Sequence, residues 1–165
     1  ARSRAGAIMG DGRALAALAA AAALLVAFLP ERAPHPELYA ATVALADALA
    51  EGGPWPESYA RWELMLLAEL GYGLDLSDCA ATGATEELVW VSPRSGRAVS
   101  AAAGAPYADR LLPLPAFLRG EGAAADADMA AALRLTGLFL GRAASDFGVD
   151  GLPAARARLA ERFRG

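Results

Sequence analysis

Few residues in this 165-residue chain have the chemistry of a nucleophile, a general base or a soft metal ligand: it holds one cysteine, Cys79, and one histidine, His35. A serine–histidine–acid triad could use only His35. That residue lies between Pro34 and Pro36 and reads as a cap or a surface group. Cys79 has no base nearby in sequence and reads as a small loop or core residue. A structural zinc site needs four Cys or His ligands, so one cysteine and one histidine fall short. The chain contains no P-loop, no GxGxxG following a strand, no HExxH and no GxSxG. Its carboxylates do not recur at the helical spacing that would gather a metal. No catalytic constellation emerges, and no cofactor is expected.

The remaining chemistry is ionic. Glu63 lies in the clearest helical stretch, residues 56–70, where Tyr59, Trp62, Leu66, Leu67 and Leu70 share one face. By angle Glu63 falls inside that apolar face. A buried carboxylate costs several kcal/mol unless it is paired or hydrogen-bonded. As a catalytic acid it would lack a His or a second carboxylate nearby; the expectation is a structural clamp that accepts backbone N–H groups or an arginine from a neighbouring irregular segment, with the loop just after the helix as the obvious supplier. Arginines offer the other signal. Arg156, Arg158, Arg162 and Arg164 are expected to face outward on the last helix, where they could meet phosphates or an acidic peptide. Arg94 and Arg97 lie on an expected hairpin, with Arg110 nearby. For each group a solvated charged face is the alternative reading.

The elements that position these residues follow from punctuation and period. The chain has no Lys, Asn or Gln, and alanine is abundant, so helices are assigned on Leu, Met and aromatic spacing. Residues 13–29 form an apolar helix capped by Asp11 and stopped before Pro30. The run is short and alanine-rich for a transmembrane span, and a signal peptide would lack a good cleavage site. A buried helix is the expectation. Prolines make residues 30–36 a turn, and a helix over 36–51 ends at Gly52. Gly71 stops the central helix. Residues 88–91 and 97–100 flank a turn and read as a small hairpin. A helical turn over 115–119, a long helix to about residue 147 and a last helix over 152–164 complete a mainly α chain. The net charge of −4 excludes a polyelectrolyte trap for nucleic acid. A single cysteine fits a reducing compartment.

Residues 61–79, RWELMLLAELGYGLDLSDC, resemble the R-aromatic-E-L-x-L-L-x-x-L-G-Y segment of the RecO family of bacterial recombination mediators, which precedes a cysteine-bearing loop. CAATGATEELVWVSPRSGRAVS and GAPYADRLLPLPAFLR continue the likeness to alphaproteobacterial members, as do LPERAPHPELY and LPAARARLAERF. The resemblance implies a helical bundle domain with an inserted zinc-ribbon-like hairpin at about residues 72–112. Residues 1–12 would join it to an N-terminal OB-fold, the main site for single-stranded DNA, which these 165 residues do not match. Zinc-binding members carry two Cys-x-x-Cys pairs. Here the corresponding positions are Cys79, Thr82, Ser100 and Ala103, so the hairpin is expected to be metal-free, held by Leu88, Trp90 and Val99 and by the Glu63 clamp. The implied role is non-enzymatic: with a RecR-like partner, loading a RecA-type recombinase on strands covered by single-stranded-DNA-binding protein, and annealing strands. The implied setting is the cytoplasmic nucleoid, with no membrane. An acidic, aromatic-ended tail of that binding protein would need an apolar pocket rimmed by arginine, for which Arg61 and Arg110 are candidates. An unrelated helical adaptor with no nucleic-acid role, or a small secreted or tethered protein, are the alternatives.

Overall fold

The computed structural model describes residues 11–29 and 34–164. The expected junction over residues 1–12 lies almost wholly outside them, as does most of the 30–36 turn. The first helix, α1 (Gly12–Phe28), starts where Asp11 accepts hydrogen bonds from the amides of Arg13 and Ala14 at 3.0 and 3.1 Å. Its inner stripe is mostly alanine: Ala14, Ala17, Ala20 and Ala21, then Leu24 and Phe28. Small side chains let a neighbouring helix approach closely. That neighbour is the last helix, α6 (Ala154–Glu161).

Helix α2 (Pro36–Glu51) has proline at its start and Gly52 at φ 69° at its end. The left-handed backbone there suits a residue without Cβ. His35 occupies the cap position, but its side chain does not cap. Instead Nδ1 meets Glu69 Oε1 at 2.6 Å, tying the start of α2 to the end of α3 (Trp55–Glu69). The central helix packs on α2 and on the long helix α5 (Asp126–Asp146). Tyr59, Leu66 and Leu67 are fully buried at its centre. Burying each such side chain favours folding by roughly 1.5–3 kcal/mol. Gly71, at φ 88°, ends the helix, and the Tyr72 amide reaches back to the Leu67 carbonyl at 2.8 Å.

The hairpin is part of a three-stranded antiparallel sheet. Strand β1 (Leu88–Val91) lies between β2 (Ala98–Ser100) and β3 (Leu112–Pro113). Val91 pairs with Ala98 on one side and Leu112 on the other, and a bulge falls between Leu88 and Trp90. Strand β3 has only two residues, one of them proline, too short to show a period. Residues 75–80 run along the outer edge of β2: Asp75 and Ala80 donate to the Gly96 and Ala98 carbonyls at 3.0 and 2.8 Å. Covering that edge satisfies groups that would otherwise invite strand pairing.

Ser100 ends β2 and caps the one-turn helix α4 (Ala101–Gly104), accepting from Ala103 N–H at 3.2 Å. Its three alanines and a glycine carry no spacing signal in a chain this rich in alanine, so the sequence does not mark this turn. The expected turn over 115–119 appears as a 3₁₀ segment, Ala116–Arg119. Helix α6 is shorter than its expected span because Pro153 sets its start.

Gly104 is the tightest point of the hairpin packing. A Cβ there would lie 2.4 Å from Trp90 Cδ1 and 2.9 Å from Leu111 Cδ1. Gly104→Ala is expected to destabilise the chain by about 1–3 kcal/mol through overpacking, despite alanine's better helix propensity. Urea unfolding checks this; an unchanged or raised midpoint would show that the indole moves aside freely.

Candidate functional site

Glu63 is fully buried, and its carboxylate has four side-chain hydrogen bonds. Oε2 accepts from the Tyr59 hydroxyl and from Arg156 Nε, both at 2.5 Å. Oε1 accepts from Thr136 Oγ1 at 2.6 Å and from Arg156 Nη2 at 2.9 Å. Arg156 is 3% exposed and also donates from Nη2 to the Leu133 carbonyl at 2.8 Å. No buried side-chain polar atom among the described residues lacks a partner. Two expectations are corrected here. The donors come from helices α3, α5 and α6, not from the loop after α3. Arg156 is not part of an outward basic face: it points into the bundle and pairs with Glu63. The signal was present, since Leu152, Arg156, Leu159 and Phe163 follow the four–three–four spacing of one helix face. Gly137 leaves room for the guanidinium, as a Cβ there would approach Arg156 Nη2 to 3.4 Å. Burial opposes the charge on Arg156, but Glu63, by charge and hydrogen bond, outweighs it and holds its pKa above the usual value. Desolvation, followed by the Glu63 charge, pushes the Tyr59 hydroxyl well up, so it stays a donor.

The four positions implied by the zinc-binding pattern are joined in two turns. The Cys79 amide donates to the Ala84 carbonyl at 2.7 Å, and Gly83 donates to the Cys79 carbonyl at 2.8 Å. Ser100 N–H donates to Cys79 Sγ at 3.3 Å, which joins the first turn to the second. The donor set is one thiol, two hydroxyls and a methyl, which does not fit zinc. Among the described residues no three His, Cys, Asp or Glu side chains group as a metal site.

Packing and charge bind this region together. Leu88, Val91, Ala98 and Val99 are buried, and Trp90 is half-buried against Gly104. Arg119 spans the loop, donating from Nε to Leu76 O at 3.3 Å and from Nη2 to Thr85 O at 2.9 Å. Arg97 Nη2 bonds Asp78 at 3.2 Å. Arg119 was missed, and no periodicity marks it. Glu63's side-chain partners lie on α3, α5 and α6, so the clamp holds the bundle and not the hairpin. The thiol of Cys79 sits in a nest of donors. A hydrogen bond with the Thr82 side chain, opposed by desolvation and helped by the Ser100, Ala81 and Thr82 amides, lowers its pKa to about 6.

The remaining arginines are not gathered into one site. Arg61 is exposed on α3, donates from Nη2 to the Phe117 carbonyl at 3.1 Å, and edges a groove of about 230 Å³ between α2 and α3. Ala41, Ala44, Leu45, Trp62 and Met65 give that groove an apolar lining. Arg110 is exposed beyond the sheet and does not line it. Arg94 is exposed on the β1–β2 turn, whereas Arg97 is engaged by Asp75 and Asp78.

A family model described as "Recombination protein O C terminal" matches residues 9–144. The chain belongs to the RecO family. It is 54% identical over 159 residues to the "DNA repair protein RecO" of Ruegeria sp. (strain TM1040), covering 96% of this chain and 66% of the relative. The RecO of Roseobacter denitrificans is 53% identical over 98% of the chain and 68% of its own length. The RecO of Paracoccus denitrificans is 55% identical over 99% of the chain and 66% of its own length. The chain thus spans about two thirds of the length of these relatives. No solved structure matches it. Among the described residues no helix is long and apolar enough to cross a membrane.

Two outcomes follow for this RecO-family domain. Glu63→Leu or Arg156→Leu alone should cost about 3–5 kcal/mol, because each strands a buried charge, while the double replacement should recover most of that loss. Chemical denaturation of the two single variants and the double variant reads this directly. The lowered Cys79 pKa predicts that unfolded chains bind more protons than folded ones between about pH 6 and 9. Stability should therefore rise with pH across that window and be lost as pH falls through about 6. Urea midpoints of wild type and Cys79→Ser should diverge as pH rises from 6 to 8.5; parallel midpoints would refute the shift.

Proposed function

We propose that this domain is the helical part of a non-enzymatic DNA repair and recombination mediator. It would help place a RecA-type recombinase on single strands covered by single-stranded-DNA-binding protein, beside a RecR-like partner. The reading is supported by the family membership and by relatives named as DNA repair proteins. Contact with single-stranded DNA would be shared with an OB-fold, and the setting would be the bacterial nucleoid.

The groove beside Arg61 is the observation that carries the partner-binding part of this reading. It has an apolar floor, one cation at its edge and a half-exposed methionine, Met65, on the wall. An acidic peptide ending in an aromatic residue fits such a lining: the ring replaces water on the floor, and carboxylates meet the guanidinium. Arg110 does not line this groove. Arg61→Glu should weaken binding of such a fluorescent tail peptide several-fold, more at low salt than at high, because it puts a like charge at the exposed rim that the peptide's carboxylates must meet. Removing the peptide's terminal aromatic residue should weaken wild-type binding comparably. Anisotropy titration decides it; unchanged affinity for Arg61→Glu removes this groove from the function.

A further inference from the structure

We draw no further inference here: the strongest candidate, the outer face of α1, where Leu15, Ala19, Ala22 and Val26 lie exposed at four–three–four spacing in a run with no charged residue between Arg13 and Pro30, carries nothing because nothing in the structure shows what covers it.

Discussion

A charged carboxylate inside an apolar helix face costs several kcal/mol unless it is paired or hydrogen-bonded, and that constraint organises this bundle. Glu63 is fully buried on α3, and its counter-charge lies 93 residues later on α6. Between them Thr136 on α5 donates to the same carboxylate. Three helices distant in sequence are thereby fixed in one register, because a small slide of any of them breaks a charge-assisted bond. Apolar packing alone would be more tolerant, especially where α6 meets the alanine stripe of α1. Small side chains permit close approach but specify rotation poorly. The ion pair supplies the specificity that the alanines lack, at a desolvation cost that makes each partner dependent on the other.

A second constraint acts at the hairpin. One thiol, two hydroxyls and a methyl at the four positions do not fit zinc, so they offer this loop no metal cross-link of the kind that would limit its unfolded freedom. Here the replacement is distributed. Arg119 grips two carbonyls on either side of the loop, Arg97 holds Asp78, and residues 75–80 cover the edge of β2. Cys79 keeps amide donors aimed at its sulfur, an arrangement that suits a thiolate. Each link is individually weak and partly exposed, so the hairpin's firmness depends on Leu88, Val91 and Ala98 being buried beneath them. The bundle clamp and the hairpin staples are separate systems with no shared residue.

How much of this was legible in the sequence depended on range. Helix ends marked by Asp11, Gly52 and Gly71 were readable because caps and left-handed stops are local events. The anomaly at Glu63 was readable too, since angular position needs only the helix period. Its partner was not found, although Arg156 shares a stripe with Leu152, Leu159 and Phe163. Arginine was assigned outward by type, and type overrode spacing. Strand β3 and the Arg119 bonds left no such trace: two residues make no period, and side chain to carbonyl contacts depend on tertiary placement. The α1–α6 contact was likewise hidden, because alanine abundance blurs any stripe it forms.

The same helix that carries Glu63 also carries Arg61, near its middle and on its outer side. Inward, α3 is immobilised by the ion pair with α6; outward, it offers the apolar groove with α2. The groove requires no moving part, since Arg61 is anchored to the Phe117 carbonyl of a neighbouring segment. What the buried pair secures is therefore the rotation of α3 about its own axis, and with it the direction in which Arg61 and Met65 face α2, because a rigid helix pinned through one face cannot turn the other.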